Sequence, residues 1–248
     1  MSLDGLHLAA GDALFLDFDG TLAEIGPDPD AIRLAPGVAP ALARLAGRLA
    51  GAVAILSGRD LRDLAGRTPD TVWRAGGHGL EVLPPGAPPP PAPPPLPEAV
   101  LAPLRAAART PGVRLELKGP VAALHFRAAP AAEARCLAAA RAAAAAAPGL
   151  VQQPGKMVVE VKPAAAHKGE ALRRLSLAPP FAGRRPLMLG DDTTDEDAFA
   201  AAQTLGGLAV KIGPGASAAR LRAPDPAAVR AWLTREAADG PSPGPGIR

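Results

Sequence analysis

The sequence predicts an α/β protein, in which an open parallel-sheet core is interrupted by a smaller α+β module. Three observations lead to this prediction. Short apolar runs alternate with segments of helical periodicity, as in strand–helix–strand units. Polar clusters directly follow three of these runs. In the middle of the chain, strand-like segments alternate between apolar and polar residues, which is typical of an antiparallel sheet with one buried face.

The core elements follow from the apolar runs and the helical spacing between them. Core strands are expected at 13–16, 53–56, 71–73, 186–189 and 208–212. Core helices are expected at 40–49, 60–66, 195–202 and 229–235. Strands that alternate with helices in this order form a parallel sheet covered by helices.

The inserted module begins with a proline-rich stretch, PPGAPPPPAPPPLP at 84–97, which cannot enter the interior of a sheet. It continues in the order α-β-β-α-β-β. The predicted helices are 98–109 and 130–147, and the predicted strands are 113–118, 121–127, 151–153 and 156–162. We therefore assign 1–83 and 163–248 to the core, and 84–162 to the inserted domain.

Composition excludes several classes of protein. The 248 residues are 48% apolar and 21% charged, which is typical of a globular chain. The net charge of +3 comes from scattered arginines, and only 3% of residues are aromatic, so we expect no nucleic-acid partner. A single cysteine, Cys136, rules out an intrachain disulfide. Without a signal peptide or an apolar run of membrane-spanning length, we expect a cytoplasmic monomer that binds no membrane.

Two carboxylates end the first apolar run, in LFLDFDGTLAEI at 14–25. Ligands of open α/β sheets bind beyond the carboxyl ends of the strands. Three polar clusters fall at such ends: Asp17 with Asp19, Ser57-Gly58-Arg59, and Asp191 with Asp192. Carboxylates packed together need a cation, and oxygen ligands favour Mg²⁺ that is completed by a substrate phosphate.

The pair Asp17 and Asp19 suggests phosphoryl chemistry. A carboxylate that faces a phosphoryl group can attack it and form an acyl phosphate. A second carboxylate two residues later can protonate the leaving oxygen and then deprotonate water, while its backbone carbonyl reaches the metal. Gly20 and Thr21 would form the turn whose N–H groups hold phosphate oxygens. Asp191 is the third expected metal ligand, supported by Asp192 and Asp195, although Asp192 can exchange places with Asp191.

Four segments resemble, in order, the four motifs of the haloacid dehalogenase (HAD) phosphatase superfamily: DFDGTL at 17–22, SGR at 57–59, Lys168-Gly169, and GDDTTDED at 190–197. The resemblance implies a HAD-like Rossmannoid core. It also implies that the Ser57 hydroxyl and the Lys168 ammonium bind the phosphate. Arg59 has two candidate roles, a substrate contact, which we favour, or an ion pair with a nearby acid. We expect His7 and His167 at the surface, and Glu196 and Asp197 in a solvated helical turn.

The inserted module carries a charged sheet face. Period-2 alternation places Val113, Leu115 and Leu117 on one face and Glu116 and Lys118 on the other. The polar face also receives His125, Arg127, Lys156 and Glu160. On a module inserted into a phosphatase core, a face rich in donors and charges suggests a lid that binds a polyhydroxyl substrate and excludes water.

This module, together with GGHGLE at 76–81 and the spacing from Lys156 through Glu160 to Lys168, is similar to that of trehalose-6-phosphate phosphatases. The resemblance implies Mg²⁺-dependent hydrolysis of trehalose 6-phosphate to trehalose and phosphate through an aspartyl-phosphate intermediate. The implied substrate contacts are Gly20, Thr21, Gly58, Arg59, Gly77, His78, Gly79, Glu116, Lys118, Arg127, Lys156 and Glu160. Alternatives are a phosphatase for sucrose phosphate or for mannosyl- or glucosyl-phosphoglycerate, a phosphohexomutase, and a catalytically inactive sugar-phosphate sensor.

Overall fold

The computed structural model describes residues 2–26, 28–155 and 157–238. The chain forms two compact units, one of Met1–Pro89 with His167–Arg248 and one of Pro90–Ala166. The boundaries predicted from the sequence fall a few residues earlier at both junctions. They place the start of the proline-rich stretch in the second unit, whereas the structure places it at the end of the first segment of the core.

Eleven strands and seven α-helices, numbered along the chain, are found within the described ranges. The strands are β1 (Asp12–Leu16), β2 (Val53–Leu56), β3 (Trp73–Gly76), β4 (Glu81–Leu83), β5 (Arg114–Lys118), β6 (Val121–His125), β7 (Leu150–Gly155), β8 (Val158–Pro163), β9 (Arg185–Gly190), β10 (Leu208–Ile212) and β11 (Leu221–Ala223). The helices are α1 (Val38–Arg48), α2 (Leu61–Arg67), α3 (Glu98–Ala108), α4 (Glu133–Ala145), α5 (Lys168–Ser176), α6 (Thr193–Thr204) and α7 (Pro226–Ala238).

The sheet of the first unit has the strand order β11-β10-β9-β1-β2-β3-β4. Each neighbouring pair is parallel except β3 and β4, which are antiparallel. Every residue of β1 is buried, as expected for a central strand covered on both faces. The strand ends of β1, β2 and β9 therefore bring the three predicted polar clusters to one edge of the sheet.

Two predictions for this sheet were wrong. The third core strand lies at Trp73–Gly76 rather than at 71–73, because Trp73, Arg74 and Ala75 pair with Ala54–Leu56 of β2. The strands β4 and β11 were not predicted. Each has only three residues and lies at an edge of the sheet, where so short a run carries no readable periodicity.

The second unit is an antiparallel sheet of order β5-β6-β8-β7, with α3 and α4 packed on one face. Leu124, Val159 and Val161 belong to this core, as the alternation predicted. Leu117, expected on the same face, is 49% exposed because it lies near the end of the edge strand β5. The predicted helix at 130–147 begins as a 3₁₀ turn at Pro130–Ala132 before α4. Across the described parts of the chain, no helix is both long enough and apolar enough to cross a membrane.

Candidate active site

Asp17 lies directly after β1, and its N–H donates to the carbonyl of Leu189 in β9 at 2.9 Å. Its carboxylate is buried and accepts a hydrogen bond from Nζ of Lys168, the first residue of α5, at 2.6 Å. The same ammonium donates to Oδ1 of Asp195 in α6 at 2.8 Å. Burial alone would lower the pKa of Lys168, but the negative charges of Asp17 and Asp195 outweigh it and raise that pKa. Lys168 is therefore a permanent cation between two carboxylates.

Asp17, Asp191 and Asp195 form an acidic cluster, in which one carboxylate oxygen from each residue lies within 4.8 Å of the others. Burial raises the pKa of Asp17 well above its usual range, Lys168 opposes this rise, and Asp195 and Asp191 add to it. Burial, followed by the charge of Asp195, raises the pKa of Asp191 to about 6. The cluster has more negative charge than Lys168 balances. Its all-oxygen donor set suits a hard divalent cation such as Mg²⁺.

The segment after β9 places the side chains of Asp191 and Asp192 in different environments. Asp192 is the N-cap of α6, and its exposed carboxylate accepts from the N–H of Thr193 at 2.7 Å. The fully buried Asp195 accepts at 3.0 Å from the N–H groups of both Asp191 and Asp192. These bonds complete a capping box, which fixes the start of the helix. Asp191 is thus left to point into the acidic cluster, and its position there separates it from Asp192.

Arg59 forms an ion pair rather than presenting a free guanidinium. Its Nε and Nη2 donate to the two oxygens of Asp19, both at 2.7 Å, and its Nη1 donates to Asp63 at 2.9 Å. The guanidinium also lies 5.4 Å from the ring centre of Phe18. The structure therefore supports the second of the two predicted roles for Arg59, an ion pair with a nearby acid. The side chain of Asp19 is not part of the acidic cluster, in line with the prediction that only its backbone carbonyl reaches a metal.

Two buried hydroxyls lie at the ends of β1 and β2. Thr21 is completely buried, and among the described residues its Oγ1 has no hydrogen-bond partner. Ser57 is buried, and its Oγ accepts from the N–H of Arg59 at 3.1 Å. Both hydroxyls can donate to a phosphate oxygen without losing a bond in which they are the donor. A buried hydroxyl without a partner is unfavourable, and a phosphate at this position would satisfy Thr21.

The predicted pocket residues 77–79 form a 3₁₀ turn after β3. His78 is buried with a left-handed φ of +58°, and its ring lies where a side chain on Gly58 would be, with Cε1 only 2.6 Å from a Cβ built there. The carbonyl of Gly79 accepts from Nη2 of Arg174 at 2.7 Å. The turn at 77–79 therefore packs tightly against Gly58, beside Ser57. The absence of a side chain on Gly58 leaves room for the ring of His78.

Sequence reasoning missed several contacts that charged and polar side chains make in this unit. Lys211, buried in β10, donates to the carbonyl of Asp191. A lysine within an apolar strand run was the available signal. Nε2 of His167, predicted at the surface, lies 2.6 Å from Oδ2 of Asp197, so Asp197 is not simply solvated. Glu196 likewise accepts from the N–H of Ala218 at 2.8 Å, and Nδ1 of the largely exposed His7 lies 3.0 Å from Oε1 of buried Glu236.

The second unit carries its own charged cluster. Oε2 of Glu116 contacts Nε2 of His125 at 2.7 Å, Nζ of Lys118 at 3.5 Å and Nη2 of Arg114 at 3.6 Å. The hydrogen bond with His125 comes first among the causes that lower the pKa of Glu116 to about 2, against the opposing effect of burial. Glu160 pairs with Ala123 of β6, which in turn pairs with Glu116, so the two glutamates share a sheet face. Arg127 is exposed just after β6, and Lys156 lies outside the described residues.

Comparisons with known proteins agree with this geometry. The trehalose-phosphatase family model matches residues 15–226. Trehalose-6-phosphate phosphatase of Escherichia coli K12 is 39% identical over 233 residues, which cover 92% of this chain and 87% of that protein. A probable trehalose-phosphate phosphatase of Sinorhizobium fredii is 40% identical over 207 residues, covering 82% of this chain and 78% of that protein.

Solved structures support the same relationship. The C-terminal domain of a trehalose-6-phosphate phosphatase from C. albicans superposes with a TM-score of 0.75 at 25% identity, over 92% of each chain. A HAD-like hydrolase from Bacteroides thetaiotaomicron, at 14% identity and a TM-score of 0.63, shares the fold. By the match of the family model and the identity to these relatives, the chain belongs to the trehalose-phosphatase family, with a HAD-like fold.

Proposed function

We propose that this chain is a phosphoric monoester hydrolase that converts trehalose 6-phosphate to trehalose and phosphate through an aspartyl-phosphate intermediate. The observation that carries the proposal is the environment of Asp17, which is buried at the end of β1, 2.6 Å from the Lys168 ammonium and beside two further carboxylates. The substrate is the one named for the E. coli and S. fredii relatives.

In the first step, an oxygen of Asp17 attacks phosphorus and the bond between phosphorus and the sugar oxygen breaks. The departing oxygen takes a proton from Asp19, and trehalose leaves. Both oxygens of Asp19 are bonded to Arg59 in the structure, so the proton transfer requires Asp19 to exchange this partner for the substrate oxygen. Lys168 stabilises the negative charge on the transferred group, and the hydroxyls of Thr21 and Ser57 donate to its oxygens.

In the second step, Asp19 removes a proton from a water molecule as the water oxygen attacks phosphorus. The bond between phosphorus and Asp17 breaks, inorganic phosphate leaves, and both carboxylates return to their starting states. Asp17, Asp191 and the backbone carbonyl of Asp19 would hold Mg²⁺, with Asp195 and Asp192 fixing the Asp191 segment. When bound, Mg²⁺ would neutralise the excess charge of the cluster and of the phosphate.

The test of this function is phosphate release from a panel of phosphate esters, with Mg²⁺ and with EDTA. The panel contains trehalose 6-phosphate, sucrose 6-phosphate, glucose 6-phosphate and a mannosyl-phosphoglycerate. We expect Mg²⁺-dependent release confined to trehalose 6-phosphate, and a loss of at least ~10³-fold in Asp17→Asn. Release of phosphate from a different ester would contradict trehalose 6-phosphate as the substrate. Near-wild-type activity of Asp17→Asn would contradict the role of Asp17 as the nucleophile.

We further propose that the charged face of the second unit binds the sugar, with Glu116, Lys118, Arg127, Lys156 and Glu160 as its contacts. The cluster around Glu116 supports this proposal, since an ionised carboxylate beside the Lys118 ammonium is a strong acceptor for sugar hydroxyls. Cytoplasmic location, monomeric state and the role of this unit as a lid stay predictions.

Lys118→Ala tests the sugar contact, and Arg114→Ala is its matched control. Both side chains approach the same oxygen of Glu116, at 3.5 and 3.6 Å, but only Lys118 is a proposed contact. We expect Lys118→Ala to raise KM for trehalose 6-phosphate by about 10-fold, as for one lost charged hydrogen bond, and to spare an aryl phosphate. Arg114→Ala should leave both substrates within about twofold. Equal losses on both substrates would contradict a sugar-binding role.

A further inference from the structure

The strand β10 contains a charged residue that its surroundings do not favour. Lys211 lies between Val210 and Ile212 and is only 6% exposed. Taking an ammonium group out of water is strongly unfavourable, and an aliphatic side chain at this position would avoid that cost. Nothing in the reaction described above uses this side chain.

The hydrogen bonds of Lys211 converge on the segment that carries Asp191. Its Nζ donates to the carbonyl of Asp191 and, at 2.9 Å, to the carbonyl of Ile212. Lys211 is also the register partner of Gly190, the residue before Asp191. The N–H of Asp191, on the other side, donates to Oδ2 of Asp195 at 3.0 Å. Both peptide groups of Asp191 are therefore fixed, its N–H by Asp195 and its carbonyl by Lys211.

We propose that Lys211 is a positioning residue for cation binding, which locks the Asp191 backbone so that its carboxylate points into the acidic cluster. The positive charge of Lys211 interacts favourably with the nearby carboxylate of Asp191, which offsets part of the cost of burying the ammonium. The inference rests on the proposed function only in taking Mg²⁺ as the cation.

Two effects of removing the ammonium have opposite signs, which makes the proposal testable. If Lys211 were only a positive charge near the site, its removal would strengthen the binding of a divalent cation. If it positions Asp191, its removal weakens binding, because residues that orient a metal ligand typically contribute 10- to 100-fold to affinity.

The experiment measures Mg²⁺ binding to the EDTA-stripped full chain by isothermal titration calorimetry, without substrate. The variants are Lys211→Met, which keeps the length but removes the charge, and Lys211→Arg, which keeps the charge. The matched control is Arg222→Met, since Arg222 is the register partner of Lys211 on β11 but donates to the carbonyl of Gly215. Activity against Mg²⁺ concentration is a second readout.

We expect the Kd for Mg²⁺ to rise about 10- to 100-fold in Lys211→Met, less in Lys211→Arg, and less than twofold in Arg222→Met. At saturating Mg²⁺ the kcat of Lys211→Met should recover to within about threefold of wild type, which a general loss of structure would not allow. An unchanged or tighter Kd would overturn the proposal, and so would a Lys211→Met chain that cannot fold. A wild-type chain that binds Mg²⁺ but hydrolyses no ester of the panel would overturn the function alone.

Discussion

Gly20 follows Asp19 in a turn with a φ of +80°, and a Cβ built on it would lie 2.2 Å from Oδ2 of Asp191. The Asp191 carboxylate therefore occupies the space that any other residue at position 20 would fill with its side chain. The turn after β1 and the segment after β9 are fitted to each other through this contact, which joins two parts of the chain that lie far apart in sequence.

We predict that Gly20→Ala lowers kcat/KM by at least ~100-fold, because the new methyl group displaces a carboxylate of the acidic cluster. The control is Gly206→Ala, which has nearly the same φ, +77°, and no heavy atom within 4 Å of the built Cβ. Both variants carry the strain of a left-handed alanine, about 1 kcal/mol, and only Gly20→Ala adds the crowding at Asp191. Equal activity losses in a steady-state assay would show that strain, rather than crowding at Asp191, is responsible.

Single residues also show what sequence alone could and could not predict. The structure places Asp17, Lys168, Asp191 and Asp195 together, as their positions at strand and helix ends suggested, although their roles stay predictions. A substrate contact was favoured for Arg59, and the sequence could not show the ion pair instead, because a guanidinium suits a phosphate and a carboxylate equally well. Only the coordinates show both of its edges occupied by acids.

The helices α5 and α6 act as a pair that presents Lys168 and Asp195 to each other. Gly169 in the first turn of α5 allows close contact, since a Cβ built on it would lie 2.5 Å from the carbonyl oxygen of Asp197. The contact between Nε2 of His167 and Oδ2 of Asp197, at 2.6 Å, joins the same two helix ends. The direction of the Lys168 side chain therefore depends on how closely these helices approach.

We predict that Gly169→Ala lowers both the melting temperature and kcat, because α5 must move away from α6 and take Lys168 with it. The matched change is Gly66→Ala near the end of α2, where no heavy atom lies within 4 Å of the built Cβ. There alanine should stabilise the helix, by up to about 0.5–1 kcal/mol, and leave kcat unchanged. Thermal melts and steady-state kinetics of the two variants test this, and a stabilised, fully active Gly169→Ala would contradict it.

At the level of elements, sequence predicted long buried strands and failed at the edges. The central strands β1 and β2 consist of apolar runs, which are typical of strands buried on both faces. The predicted α/β class with a HAD-like fold is confirmed. The edge strands β4 and β11 pair with β3 and β10, and their own three residues show no pattern that predicts a strand. In the second unit, the two-residue alternation predicted the helix-facing side of β6 and β8 but not the exposure of Leu117.

Over the whole molecule, the acidic cluster opposes folding when no cation balances it. The pKa of Asp191 in the folded chain, about 6, is above the value of 3.8 expected when unfolded. A raised pKa means that this group favours folding at a pH below 3.8 and that the benefit is lost as the pH rises through 6. At neutral pH the ionised Asp191 therefore reduces the free energy of unfolding of the metal-free chain.

We predict that Asp191→Asn raises the melting temperature in EDTA at pH 7.5, with a smaller gain at pH 5. Excess Mg²⁺ should reverse the order, because only the wild type gains stability from binding. Asp192→Asn is the control, since asparagine caps a helix as well as aspartate does and Asp192 lies outside the cluster. Calorimetric scans at both pH values test this, and a destabilised Asp191→Asn in EDTA would contradict it.

Family membership was predicted from the four motifs and the charged module, and the comparisons confirm it. Four ordered motifs are specific because each lies at a different strand or helix end, which chance rarely reproduces. The electrostatic support of the site was not predicted: Lys211 stands out as a charge in an apolar strand run, but it belongs to no motif that would indicate its partner. Its partner is a backbone carbonyl, which every residue has.

The position of β1 between β2 and β9 has a consequence for how the protein is made. On one side β1 pairs with β2, which is synthesised soon after it. Its partner on the other side, β9 (Arg185–Gly190), is synthesised much later. At ordinary rates of translation that delay is roughly 10 to 35 s. During this time the nascent chain exposes a hydrophobic strand edge, the kind of surface that pairs with other chains and aggregates. The inserted unit, whose four strands all lie within 114–163, can fold completely within the same interval.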